Sequence, residues 1–109
     1  MPTVYKVLGQ QIPAATTATT LYTVPSSTSA IISTIVIANQ TATAATFRIA
    51  VRPAGATLAA VHYVAYDITV GASDTTALTL GITLATTDVI TVYSSTATLS
   101  FHAYGSEIS

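Results

Sequence analysis

The sequence predicts an all-β fold: a single antiparallel β-sandwich of about eight strands, jelly-roll-like or immunoglobulin-like. Three observations predict it. Short apolar runs recur about every ten residues, separated by segments rich in Pro, Gly, Asn, Asp and Ser. No longer run carries the 3.6-residue apolar period of a substantial helix. Threonine, β-branched and suited to a pleated surface, makes up about a fifth of the 109 residues. No linker, charge block or internal repeat divides the chain, so residues 1–109 read as one domain.

Strands are expected near residues 3–10, 19–24, 29–38, 45–52, 61–70, 75–80, 88–95 and 97–108. The opening "TVYKVLGQQI" has strand character, and the small-residue stretch "PAATTAT" then sets it apart from the next strand. Residues 1–13 therefore have two readings. They form the first strand of the domain's own sheet, or an N-terminal arm whose Val4, Tyr5, Val7 and Leu8 add to a neighbouring chain's open edge. "TVPSSTS", "NQTATA", "RPAG", "VGASDT", "LATTD" and "SSTA" supply the turns.

The run "SAIISTIVIAN", Ser29 to Asn39, is apolar on both sides of a simple alternation. Ile31, Ile35 and Ile37 fall on one face, Ile32 and Val36 on the other. Both faces are therefore expected to be covered, by a second layer or by another subunit, because an open apolar strand templates edge-to-edge pairing. "ATFRIAVR" alternates plainly, with Phe47, Ile49 and Val51 opposite Arg48, Ala50 and Arg52. "TLSFHAYG" sets Leu99, Phe101 and Ala103 opposite Ser100, His102 and Tyr104. Phe47, Ile49, Val51, Leu99 and Phe101 are the expected core.

Charged residues are 6% of the chain, against about 25% in an ordinary soluble domain. So little charge leaves little repulsion between copies and favours association. The three basic residues, Lys6, Arg48 and Arg52, cannot build a phosphate-neutralising stripe, so nucleic acid is not an expected partner. No apolar run approaches the ~20 residues of a membrane-spanning helix, and the N-terminus carries no secretory h-region, so no membrane is expected either. The chain has no cysteine, which removes disulfides and thiolate metal sites.

Catalysis needs convergent polar groups, and the sequence offers few. Asp74 and Asp88 each precede a strand, where Asp satisfies turn backbone groups. Asp67 lies mid-strand, and its expected partner is Arg48 or Arg52, in a cross-strand or inter-subunit ion pair. His62 and His102 show no metal-ligand spacing, no Gly-flanked Ser elbow occurs, and the five glycines are scattered singly. The sequence thus names no catalytic residue, no cofactor and no metal site. Six tyrosines without tryptophan suit core caps and interfaces, with a carbohydrate surface as an alternative.

"YKVLGQ", "TLYTVP", "ATFRIAVRPAGA", "HYVAYD" and "LTLGITLATTDVITVYSSTATLSFHAYGSEI" together resemble a group of short virion proteins of tailed bacteriophages, over nearly the whole chain. The shared blocks are turn and strand pieces rather than catalytic signatures. The resemblance implies a β-sandwich that assembles in the host bacterial cytoplasm and resides in the virion. A capsid decoration (cement) protein clamping the major capsid protein shell is the leading expectation. A tail, baseplate or fibre component is the alternative, and a carbohydrate-binding adhesion module a further one. It also implies a homo-oligomer, with a trimer favoured.

Overall fold

The computed structural model describes residues 3–79 and 81–109. Nine strands form: β1 (Thr3–Gln11), β2 (Thr19–Thr23), β3 (Ser29–Asn39), β4 (Ala45–Arg52), β5 (Tyr63–Val70), β6 (Thr75–Leu78), β7 (Ile82–Leu84), β8 (Val89–Ser94) and β9 (Leu99–Ile108). The helical content of the described residues is two three-residue 3-10 turns, Pro53–Gly55 and Ala60–His62. The second turn delays the start of β5 relative to the expected strand at 61–70. There the Ala59 N–H donates to His62 Nδ1 at 3.0 Å, and the chain does not extend until Tyr63. The strand expected at 75–80 ends at Leu78, and the short β7 follows, which the sequence reading did not foresee; Leu80 lies outside the described residues.

The strands form two antiparallel sheets, with orders β1-β9-β3-β6 (β7 also pairing β3) and β2-β8-β4-β5. Only β4–β5, and the short collinear pieces β6 and β7, are sequence neighbours within one sheet; every other connection crosses between sheets. That is the order of a jelly roll. An immunoglobulin-like sandwich would instead pair several consecutive strands within a sheet.

The two layers meet on a core in which Phe47 of β4 packs edge-to-face on Phe101 of β9, ring centroids 6.0 Å apart and planes at 74°. Ile49, Leu99, Ile90 and Val92 surround them, fully buried, and Val51 packs half-buried against the same cluster. Asn39, buried at the end of β3, ties the turns together. Its Nδ2 donates to the carbonyls of Thr43, Val70 and Gly71, and its Oδ1 accepts from the Thr41 N–H. The "NQT" stretch is thus a turn hub, as its composition suggests.

β3 corrects the simple alternation expected of it, which set Ile31 with Ile35 and Ile37 on one face and Ile32 on the other. Its pairing to β9 steps from Ile32↔Gly105 to Thr34↔Tyr104, leaving Ser33 as an extra residue. A one-residue bulge reverses the facing of everything beyond it. Ile32, Ile35 and Ile37 therefore all point into the core, while Ile31 stays 40% exposed on the outer face. The alternation failed in the sequence because the strand changes phase. β3 also has no free edge, lying between β9 on one side and β6 and β7 on the other.

The β1–β9 pairing slips at the same level, between Val7 and Gly9. Gly105 sits where the bulges meet, and a Cβ there would overlap the Ile31 carbonyl oxygen. Gly9 is equally constrained by the Leu21 carbonyl oxygen, where β1 crosses beside β2.

Two substitutions test this packing by chemical denaturation. Phe101→Ala should cost about 3–5 kcal/mol, the range for truncating a buried aromatic side chain. Gly105→Ala should cost about 1–3 kcal/mol or more, since backbone rather than a flexible side chain blocks the added methyl.

Candidate functional site

The chain's seven charged side chains, three basic and four acidic, are the natural place to look for chemistry. Each is engaged within the chain. Asp74 accepts the Thr75 N–H at 2.8 Å. Asp88 accepts the N–H groups of Ala54 and Ala85, at 2.8 and 2.9 Å. Both serve turns, as their positions before strands suggest.

Arg52 donates to the carbonyls of Ala56 (2.7 Å) and Gly55 (3.1 Å) and to the Thr91 hydroxyl (3.1 Å). It takes no part in a pair with Asp67. At the end of β4 its fork lies within reach of the loop carbonyls as the chain turns over, and it pins that loop.

The most organised group is on the outer face of the smaller sheet. Phe47 pairs with Ile68 and Ile49 with Ala65, so Arg48 alone faces both Tyr66 and Asp67. This bulge holds Asp67 at φ 53°, a left-handed conformation that Asp tolerates better than most residues. It brings both side chains beside Arg48. Arg48 Nε donates to Asp67 Oδ1 at 2.6 Å, and Nη2 to Oδ2 at 3.4 Å. The guanidinium lies between two rings, 4.1 Å from the centroid of Tyr66 and 4.4 Å from that of Tyr93. Tyr63 meets Tyr66 edge-on at 5.0 Å. An open depression of about 580 Å³ adjoins, lined by Leu58, Ala59, Ala60, Tyr63 and Tyr66.

The expected Arg48–Asp67 pair is thus a cross-strand contact inside one chain. The hydrogen bond to Asp67 raises the already high pKa of Arg48 and keeps its charge fixed. Sequence reasoning missed the tyrosines. Simple alternation puts Tyr66 and Asp67 on opposite faces, and only the bulge brings them to the same side.

A second network links the sheets at one end. Tyr22, buried on β2, donates to Glu107 Oε2 at 2.5 Å, and Lys6 on β1 meets Glu107 Oε1 at 2.7 Å. The Lys6 contact, followed by the Tyr22 hydrogen bond, holds the Glu107 carboxyl below its ordinary value. Burial, reinforced by Glu107, raises the Tyr22 phenol.

The histidines stand apart. His62 accepts the Ala59 N–H, while His102 stacks on Tyr104 and shares a 3.1 Å hydrogen bond with Gln10. Among the described residues no group of three or more His, Cys, Asp or Glu side chains comes together as metal ligands.

Val4, Tyr5, Val7 and Leu8 lie on β1, paired along β9 of the same chain. Within the single chain the segment serves as the domain's own edge strand, with Met1 and Pro2 outside the described residues. Leu8 packs against the core, whereas Val4, Tyr5 and Val7 are 48%, 83% and 49% exposed.

Compared with protein-family models, curated proteins and solved structures, the chain matches none.

The Lys6–Glu107–Tyr22 network predicts the pH profile of stability. Glu107 is depressed in the fold, so its contribution is present above about 4.5 and lost as pH falls through the folded-state value. Tyr22 is raised, so its contribution holds below about 10 and declines as pH rises further. Thermal melts across pH should show both limbs. Glu107→Gln should flatten the acid limb and shrink the alkaline one without abolishing it, since burial is the main cause of the Tyr22 shift. Tyr22→Phe should remove the alkaline limb while leaving an acid limb from Lys6–Glu107.

Proposed function

We propose that this protein is a non-enzymatic structural subunit of a tailed-bacteriophage virion, a capsid decoration protein that binds and stabilises the major capsid protein shell. The observation that carries the reading is the engagement of all seven charged side chains within their own chain. What remains for contact is hydroxyl, methyl and aromatic surface. Such a surface recognises by shape and burial, and it gains strength when a weak contact is repeated by symmetry.

The jelly-roll order supports the reading by analogy, since double-sheet jelly rolls recur in viral shells. The resemblance supplies the phage assignment, the capsid partner and the virion location. In this reading the subunit spans a seam between capsid proteins, so that opening the shell requires breaking its contacts first.

The test is particle binding. Purified protein added to capsids lacking it should bind in hundreds of copies and raise the temperature at which the shell opens. A few dozen copies or fewer in native particles would place the protein in the tail, baseplate or fibres. The Tyr63–Tyr66 depression favours a second reading, a carbohydrate-binding adhesion module, because exposed rings beside a fixed ion pair offer a stacking face for sugars. A glycan array answers it: binding abolished by Tyr66→Ala supports adhesion, and a blank array removes it.

A further inference from the structure

A β-sandwich exposes four sheet edges, and in this chain three are blunted. β5 carries two bulges within eight residues, at Tyr66–Asp67 and at Val64, with Asp67 in a left-handed conformation at the first. Among the described residues, the opposite edge of the larger sheet is formed by the four-residue β6 and three-residue β7. β2 is five residues long and bulged between Thr20 and Tyr22. It is also flanked by β1, where Gln11 Nε2 donates to the Thr20 carbonyl at 3.4 Å. Short strands, bulges and covering segments are how proteins prevent strand addition.

The first half of β1 has no bulge, shortening or covering segment, and its one charge, Lys6, is already engaged by Glu107. Thr3 to Val7 pair residue for residue with Ile108 to Tyr104, without bulge or proline. The segment also projects past the smaller sheet. Glu107 faces inward to Tyr22, and Val4 and Lys6 lie on that same side of the pleat, yet Val4 is 48% exposed and the Lys6 side chain 46%. Tyr5, on the other side, is 83% exposed. This stretch is open on both faces and along its edge.

We propose that Thr3–Val7 is an interface for a second copy of this chain, joined by antiparallel β1–β1 pairing about a two-fold axis at Tyr5. The occupant follows from self-complementarity. Centred on Tyr5, the pairing sets Tyr5 against Tyr5 of the partner subunit, Val4 against Lys6 of the partner subunit, and Thr3 against Val7 of the partner subunit. The only charge, Lys6, never faces its own copy and is already neutralised by Glu107 at 2.7 Å. Aromatic and aliphatic cross-strand pairs of this kind stabilise sheets, and an isologous two-fold is the commonest symmetry of homo-oligomers. The larger sheet would run unbroken from one copy into the next. A three-fold ring contains no two-fold, so within a ring-forming assembly this contact would link one ring to another.

The inference deepens the self-associating part of the proposed function and is independent of particle binding. The chain has no cysteine, so Tyr5→Cys introduces the only thiol. Directly opposed residues of an antiparallel pair sit about 4.5–5.5 Å apart at Cα, within disulfide reach. Mild oxidation of Tyr5→Cys should give a self-linked dimer, while Val64→Cys on the bulged β5 edge should stay monomeric. In sedimentation Tyr5→Lys should weaken dimerisation about tenfold or more, while Tyr5→Phe retains it. Tyr5 is so exposed that neither change disturbs the fold, which circular dichroism checks.

A wild-type protein that remains monomeric at millimolar concentration overturns the proposal. So does Tyr5→Cys that links only when mixed with Val64→Cys, which would mean head-to-tail contact instead. Capsid binding that survives such a result would leave the decoration reading intact and remove only this interface.

Discussion

Gly105 is the point on which the larger sheet turns. β9 runs through the middle of that sheet, and both of its neighbours slip register beside Tyr104, next to Gly105: β3 at Ser33, opposite Tyr104–Gly105, and β1 at Leu8, opposite Ala103–Tyr104. Only a residue without a side chain lets the Ile31 carbonyl approach so closely. The slip in β3 brings Ile32 into line with Ile35 and Ile37 on the core, while β9 keeps its own alternation and so turns Glu107 to the same side as Phe101 and Ala103, within reach of Tyr22 and Lys6.

A chain with so few charges has to control its own stickiness by geometry. Most soluble β proteins guard edges with lysine and scatter charge over their surfaces. Here the charged residues fix turns, loops and strand pairs instead, and the guarding falls to bulges, short strands and crossing segments. Most of the exposed large apolar residues gather on two flanks, Val4, Tyr5, Val7 and Ile12 along β1 and Val61, Val64, Tyr66 and Ile68 along β5. The β5 flank is twisted by its bulges and braced by the Arg48–Asp67 pair. The β1 flank is regular from Thr3 to Val7, and its one charge, Lys6, is held by Glu107. A fold that protects one flank and not the other has an asymmetry suited to controlled assembly.

The candidate site was partly legible in the sequence. Asp67 stood out as an acid in mid-strand whose partner would be Arg48 or Arg52, across strands or between subunits, and within the chain it is Arg48 that meets it. Asp74 and Asp88 were readable as turn residues because that role depends on near neighbours in the chain. The tyrosines around Arg48 were not readable, nor was the loop-pinning role of Arg52. Tyr66 shares a side with Asp67 only through a bulge. Tyr93 comes from β8, more than forty residues from Arg48 in sequence, and is adjacent only because β8 pairs with β4.

Composition and periodicity determined the class of the protein. Threonine-rich alternation with regular turns points to an antiparallel sandwich or barrel, and the alternation in β4 and β9 placed Phe47, Ile49, Leu99 and Phe101 in the core without reference to any partner strand. The tertiary structure alone decided the jelly-roll order, the phase change in β3, the division of the 75–84 region into two strands, and the seating of β1 in its own sheet. The physical reason is range. Alternation is a property of one strand and its immediate neighbours, whereas bulges and strand order are settled by backbone contacts between segments far apart in the chain, where a missing Cβ at Gly105 determines which way a distant isoleucine faces.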